Sequence, residues 1–218
     1  MSQQDEGVAF PGTSGERKLR PARTSATRQK LFEASMVLIG ERGASEVTVD
    51  EIAAAAGVSK GTVYYNFGSK SDLIAELLRH GVDILLARLQ SVPVHGSAAQ
   101  PLDPLDVMRD VIAQAMDFMN EYPSFARLWV SENWRTPSVW QDTFAELRAL
   151  LLAVIAANID RVADVYPVDT SISRDSLEAA IFGACFVVGL DSQTYHPERS
   201  RDQSVAAIMA IMRGYVQK

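Results

Sequence analysis

Apolar residues recur at helical spacing along most of this chain, and this periodicity restricts the possible folds more than any other feature. From Ser25 onward they fall three or four positions apart, as in Leu31, Ala34 and Leu38, and so share one face of a helix. No segment has the apolar–polar alternation that is typical of a β-strand. The sequence therefore predicts an all-α protein of about nine helices.

Charge is divided unevenly along the chain, although the formal net charge is −6. Residues 17–70 carry nine basic and five acidic side chains, whereas residues 71–218 carry twelve basic and nineteen acidic ones. A basic N-terminal module on an acidic body indicates an anionic partner for that end alone. Residues 1–22 are rich in Gly, Ser, Gln and Pro and are expected to form a disordered arm. The basic run ERKLRPAR at its end is either a solubilising tail or a contact to phosphate.

Two short helices with clear start and stop signals are predicted between residues 48 and 67. Thr48 and Glu51 have the spacing of a capping box, and Gly57 is placed to end the helix that they begin. Ser59 is placed to cap the next helix, and Ser69 precedes a long one. Two short helices joined by a glycine-containing turn form a helix-turn-helix, whose second helix enters the major groove of DNA.

The second helix of this pair contains two adjacent tyrosines, Tyr64 and Tyr65. Neighbouring residues on a helix point about 100° apart, so both rings cannot face one core. Val63 and Phe67 are four positions apart and are expected to face inward. The opposite face is then free to contact DNA, because phenol groups can donate to phosphate and also lie against sugar or a thymine methyl. The alternative is that both tyrosines pack between helices.

The segment TVDEIAAAAGVSKGTVYYNFGSKSDL resembles the DNA-binding domain of TetR-family transcriptional regulators, and the similarity runs from about Thr24 to Leu85. Asn66 stands where many members of that family carry a histidine, which implies a different base preference or phosphate geometry. For residues beyond 85 the family implies only an all-α body for ligand binding and dimerisation. The contacts to DNA that the resemblance implies come from Thr48, Ser59, Lys60, Gly61, Thr62, Tyr64, Tyr65 and Lys70, with Asn66 as a further candidate.

These observations divide the chain into the arm 1–22, a helix-turn-helix DNA-binding domain at 23–70, and a ligand-binding and dimerisation domain at 71–218. The proline-rich stretch 91–104 interrupts the helical pattern most clearly.

Residues 116–144 of the body are unusually aromatic and contain all three tryptophans of the chain. They either pack as core or line a pocket for an apolar or aromatic small molecule, and the polar candidates to orient it are Asn120, Arg127, Asn133 and Asn158. The predicted ligand-binding residues are Met116, Met119, Tyr122, Trp129, Trp134, Trp140 and Phe144.

The last two predicted helices, at about 174–193 and 199–216, carry many small residues, which allow helices to approach closely. They either pack within one subunit or form half of a four-helix dimer interface. A dimer is favoured because a single short helix reads few base pairs, whereas paired units read two half-sites. The predicted interface residues are Ala180, Gly183, Ala184, Ile208, Met212 and Tyr215.

Enzyme, metal and membrane functions find no support in the sequence. Cys185 lies in an apolar stretch typical of a buried, inert thiol, and the three histidines lack the spacing of a helical zinc site. No apolar run approaches the ~20 residues of a membrane helix. The first residues, MSQQDEGVAF, lack the features of a secretory signal. We therefore expect a cytoplasmic protein that needs no cofactor or metal.

The predicted function is a homodimeric transcriptional repressor that a small-molecule effector releases from a double-stranded DNA operator. Three alternatives remain open on the sequence: a ligand-independent DNA-binding protein, an activator, and an enzyme that acts on small lipophilic compounds.

Overall fold

The computed structural model describes residues 22–96, 101–135 and 137–217. Within those ranges the chain forms nine α-helices and no strand, apart from two isolated bridges between single residues. The all-α prediction is confirmed, whereas the arm 1–22 lies outside the described residues except for Ala22. The helices are α1 Ala22–Arg42, α2 Val49–Ala55, α3 Lys60–Phe67, α4 Lys70–Gln90, α5 Pro104–Glu121, α6 Pro123–Asn133, α7 Gln141–Ala163, α8 Arg174–Thr194 and α9 Arg201–Tyr215.

Helices α1, α2 and α3 pack on one another around a small apolar core. Leu31 and Ile39 of α1, Ile52 of α2 and Val63 of α3 are almost fully buried there. Helix α1 ends at Arg42 because Gly43 adopts a φ of 85°, which a residue with a side chain rarely adopts. A glycine directly after Arg42 is also the signal that the sequence offers for the end of this helix.

Helix α4 leaves this N-terminal unit and runs into the body, where it contacts α5, α6 and α7. Its stripe of Ile74, Leu78, Val82 and Leu85 is buried, as the helical spacing predicts. One long helix is therefore shared by the two parts of the protein.

Helix α5 forms the centre of the body and contacts α4, α6, α7, α8 and α9. An aromatic cluster fills the space beside it, with Trp129 of α6 stacked on Phe186 of α8 at 5.4 Å between ring centroids. None of the helices in the described part of the chain combines the length and the hydropathy needed to cross a membrane.

The last helix begins slightly later than its pattern predicts, since α9 starts at Arg201 rather than near residue 199. A capping box formed by Ser200 and Gln203 sets the start of α9, because each side chain accepts a hydrogen bond from the backbone N–H of the other.

Candidate nucleic-acid interface and effector site

The starts of α2 and α3 are held by side-chain caps. The Thr48 hydroxyl accepts a hydrogen bond from the backbone N–H of Glu51 at 3.2 Å, and the Glu51 carboxylate accepts one from the backbone N–H of Thr48 at 2.8 Å. The Ser59 hydroxyl accepts from the backbone N–H of Thr62 at 3.2 Å. Gly57 has a φ of 66° in the turn between the helices. These local contacts fix the geometry of the helix-turn-helix.

One face of α3 packs against the rest of the N-terminal unit. Val63 is buried, and Phe67 lies half-buried beneath the guanidinium of Arg28, at 5.1 Å from the ring centroid. Asn66 is also buried, and its amide nitrogen donates to the Thr62 carbonyl at 2.8 Å. The structure therefore turns Asn66 towards the protein, unlike the direct DNA contact that the sequence predicts for it.

The opposite face of α3 is open. Tyr65 is 84% exposed and Tyr64 44% exposed, so the alternative that both rings pack between helices does not hold. Lys60 and Gly61 are exposed beside them, and Thr62 is half-buried. A Cβ atom placed on Gly61 would meet only the Ser59 hydroxyl, at 3.8 Å, which leaves room for a close approach of another molecule.

Acidic side chains engage several of the cations around this surface. The Lys60 ammonium lies 2.8 Å from the Asp50 carboxylate, which raises the pKa of Lys60. Hydrogen bonds from the Thr48 backbone and from Arg42 lower the pKa of the Glu51 carboxyl to about 2. Lys70, the first residue of α4, donates to the Ser45 carbonyl at 3.3 Å. The ion pair between Lys60 and Asp50 has no signal in the sequence, because the two residues lie on different helices.

The aromatic residues predicted to bind a ligand separate into different environments. Trp129 and Phe144 are buried, with ring centroids 5.1 Å apart, and Tyr122 packs on Phe118. Trp134 is 76% exposed, and the Trp140 indole N–H donates to the Ser71 carbonyl at 3.0 Å. The structure therefore does not gather the seven predicted residues around one pocket, because most of the rings fill the core.

A small apolar cavity of ≈ 40 Å³ lies between α4, α5, α7 and α8. Met119 is the one predicted ligand residue that lines it, and Met116 lies elsewhere in the core. The Cys185 thiol faces the cavity, and burial raises its pKa to about 12, so it stays protonated and unreactive. Other lining residues include Leu85, Leu89, Val111, Ile112, Ala115 and Ile155.

A larger groove of ≈ 490 Å³ lies between the end of α4, the start of α5 and the outer face of α7. Leu89 and Val111 line both the groove and the cavity, so the two spaces are neighbours. Asn158 lies in this groove together with Arg161, whereas the other three polar candidates, Asn120, Arg127 and Asn133, do not line it.

The residues predicted for a dimer interface also divide in two. Ile208, Met212 and Tyr215 are buried within the subunit, so they have no surface to offer a partner, and this part of the prediction is corrected. Their helix α9 packs this face on α5 and α8. The outer face of α8 instead exposes Ala180, with Gly183 and Ala184 half-buried and Val187 63% exposed.

Two capped short helices with an open second helix, joined to a helical body, form a helix-turn-helix unit of the kind that enters the major groove of DNA. Residues 31–77 match the family model described as bacterial regulatory proteins, tetR family. The resemblance seen in the sequence is thus confirmed.

Proteins with similar sequences agree with this assignment. The chain is 31% identical over 91 residues to the HTH-type transcriptional regulator AcrR of Shigella flexneri, and the matched region covers 42% of this chain and 40% of AcrR. It is 37% identical over 81 residues to the HTH-type transcriptional repressor KstR2 of Mycobacterium tuberculosis, and that region covers 37% of this chain and 40% of KstR2. The matches thus span about two fifths of the length of these curated relatives.

Solved structures share the fold over most of the chain. The fatty acid degradation regulator FadR from Bacillus halodurans has a TM-score of 0.75 at 16% identity and covers 90% of this chain and 97% of its own. FadR from Bacillus subtilis, in complex with stearoyl-CoA, has a TM-score of 0.73 at 15% identity and covers 85% of this chain and 98% of its own. At such low identity the similarity establishes the fold alone.

Proposed function

We propose that this protein is a homodimeric transcriptional repressor that binds operator DNA through the outer face of α3 and releases it when an apolar small molecule enters the body. The observation that carries the proposal is the open tyrosine pair on a helix whose other side packs against the N-terminal unit. Tyr65 is almost wholly in solvent and Tyr64 is partly so, and the exposed parts of these rings can contact sugar, phosphate and thymine methyl groups.

The surroundings of the tyrosine pair favour a polyanion. Ser59 caps α3, whose first turn carries no acidic side chain, so its backbone N–H groups and helix dipole attract phosphate. Thr48 and Lys70 lie at the starts of α2 and α4. Lys60 and Thr62 supply a cation and a hydroxyl on the same side of α3. Asn66 supports the fold of α3 in this proposal and contributes no base contact.

A second subunit is proposed to pack on the outer faces of α8 and α9. The outer face of α8 is shallow because its residues Ala180, Gly183 and Ala184 have small side chains. A Cβ atom placed on Gly183 would meet no other atom within 4 Å. Small residues of this kind let two helices approach closely, and the exposed Val187 adds apolar area. The outer face of α9 adds Ala207, Ala210 and Gly214, all of them exposed.

The proposed effector site is the cavity between α4, α5, α7 and α8. Its ≈ 40 Å³ is far below the ~300–1,000 Å³ of ligand sites, so an effector must expand it. The protein would then have two states, one with the cavity closed up and one with it expanded. A ligand that fits only the expanded state shifts the equilibrium towards that state. The shift moves α4, which also contacts the N-terminal unit. KstR2, one of the relatives, is named a repressor, and this supports that sign of regulation.

Selection of a duplex from a random-sequence library, followed by electrophoretic shift and light scattering, tests the proposal. We expect a palindromic duplex bound by two subunits, and release of that duplex by at least one apolar compound from a library. Failure to enrich any duplex would contradict DNA binding. A duplex that no compound releases would instead favour the ligand-independent alternative, and loss of transcription on deleting the gene would favour an activator.

A further inference from the structure

The groove on α7 combines an apolar floor with one polar end. Leu150, Val154 and Ala157 line it along α7, and Leu86 and Val107 line it from the opposite side. Arg161 and Asn158 form the polar end. The groove's ≈ 490 Å³ lies within the range of small-molecule sites, unlike the ≈ 40 Å³ of the small cavity beside it.

Arg161 differs from most arginines of the body. Arg88, Arg174 and Arg201 each pair with a carboxylate, whereas no carboxylate of the described residues pairs with Arg161. Its guanidinium donates to the Asn158 amide oxygen at 3.0 Å, and the Asn158 nitrogen in turn donates to the Val154 carbonyl at 2.8 Å. A buried amide thus orients a cation whose remaining N–H groups are available to an anion.

The spacing along α7 sets the length of a ligand that would fit. Leu150 and Arg161 lie eleven residues apart on one face, which spans about 16 Å of helix, comparable to an extended chain of about twelve carbons. Leu89 and Val111 line both the groove and the small cavity. Displacing these two side chains would join the two spaces into one apolar channel.

We infer that the effector is an anionic amphiphile with a linear aliphatic chain. Its carboxylate or phosphate head binds Arg161, which Asn158 positions, and its chain follows the groove and enters the cavity between Leu89 and Val111. This inference rests on the proposed function, because it names the chemical class of the effector of the same body. Arg161 is exposed at the end of the groove, so an anionic head can reach its guanidinium, whereas a neutral apolar ligand would gain nothing from that cation.

Calorimetric titration of the full chain with dodecanoate, dodecyl phosphate, dodecanol and dodecyltrimethylammonium tests the head group. We expect both anions to bind, and Arg161→Gln to weaken them about tenfold or more, because the variant loses a charged hydrogen bond. Arg127→Gln, which removes an exposed arginine of α6 away from the groove, serves as the matched control and should leave the affinities unchanged. Dodecanoate and dodecyl phosphate distinguish a fatty acid from a phosphorylated lipid as the source of the anion.

A chain-length series from hexanoate to dodecanoate tests entry into the cavity. Each added methylene should raise the affinity about fourfold, since each one becomes buried. Ala115 lines the cavity but not the groove. Ala115→Val should therefore lower the affinity for dodecanoate much more than the affinity for hexanoate.

Equal affinities of the wild type and Arg161→Gln for dodecanoate would overturn the inference, as would tighter binding of dodecanol or of the cationic amphiphile. A second copy of the chain covering the groove would show as dimerisation that Leu150→Glu abolishes, and that result would also overturn it. Electrophoretic shift assays with the selected duplex distinguish a failure of the anionic effector from a failure of the proposed repressor function. Release by neutral compounds with no Arg161-dependent binding contradicts this inference alone, whereas failure to bind any duplex contradicts the proposed function.

Discussion

Gly40 of α1 lies directly against Ser124 of α6, so that a Cβ atom on Gly40 would come within 2.5 Å of the Ser124 Cα atom. Gly81 of α4 similarly accommodates the ring of Phe125, the next residue of α6. The start of α6 is therefore fitted into two helices, of which α1 belongs to the N-terminal unit. This contact joins the body to that unit in addition to the shared helix α4.

Replacing Gly40 by alanine should disturb this contact. Alanine favours a helix by about 0.8–1.0 kcal/mol over glycine. The clash involves the backbone of Ser124, which cannot move without moving α6, and overpacking of this kind costs about 1–3 kcal/mol. We expect a net loss of unfolding free energy for Gly40→Ala in urea titration. Gly61→Ala, where a Cβ atom has open space, is the control and should be neutral or stabilising. Equal stability of the two variants would show that α6 shifts to accommodate the new methyl group without a cost in unfolding free energy.

Removing the Asp50 carboxylate should strengthen DNA binding. In Asp50→Asn the Lys60 ammonium loses its 2.8 Å partner and becomes available to a phosphate. The affinity for the selected duplex should rise, and the slope of log K against log salt should steepen by up to about 0.9, the effect of one phosphate contact. Lys60→Gln should have the opposite effect on both quantities. Weaker binding by Asp50→Asn would indicate that the ion pair itself is part of the DNA-binding surface.

The Glu51 carboxyl should contribute to the pH dependence of stability. Its pKa is about 2 in the folded protein against an ordinary value of 4.5, because the Thr48 backbone and Arg42 stabilise the charged form. The contribution is therefore fully present above pH 4.5 and is lost as the pH falls towards 2. We expect Glu51→Gln to be less stable than the wild type at pH 7 and the difference to shrink between pH 4.5 and 2, measured by urea unfolding. A difference that is constant with pH would exclude an electrostatic origin.

A charge on the outer face of α8 should abolish the proposed dimer. Val187→Glu places a carboxylate in the centre of that face, where a partner helix would bury it unpaired. Light scattering at micromolar concentration should then give a monomer. Val165→Glu is a matched control, because Val165 has the same 63% exposure but lies in the turn after α7 and belongs to neither α8 nor α9. If Val187→Glu and Val165→Glu both remained dimers, the interface would have to lie elsewhere than on the outer face of α8.

Those parts of the fold that depend on residues close in sequence could be predicted. The caps at Thr48, Ser59 and Ser69 and the stop at Gly43 involve side chains and backbone groups three or four positions apart, and the structure has all of them. Helical periodicity likewise identifies the buried stripe of α4, since the period of the helix is fixed.

The proposed effector site depends on packing between distant segments, and the sequence did not locate it. Aromatic content drew attention to Trp129 and Phe144, which are core, whereas the cavity and groove are lined mainly by aliphatic residues typical of any core. The pairing of Lys60 with Asp50 and the inward turn of Asn66 similarly depend on how α2 and α3 pack. Arg161 could have been found only by noticing that its helix presents apolar residues for three turns before it.

The central claim is that the outer face of α3 binds DNA, and Tyr65→Ala tests it most directly. Tyr65 is 84% exposed, so its removal should leave the unfolding temperature unchanged while weakening binding of the selected duplex at least about fivefold, the effect of one lost groove contact. Trp134→Ala, which removes an exposed aromatic ring of the body, is the control and should bind like the wild type. Wild-type affinity of Tyr65→Ala would contradict the account.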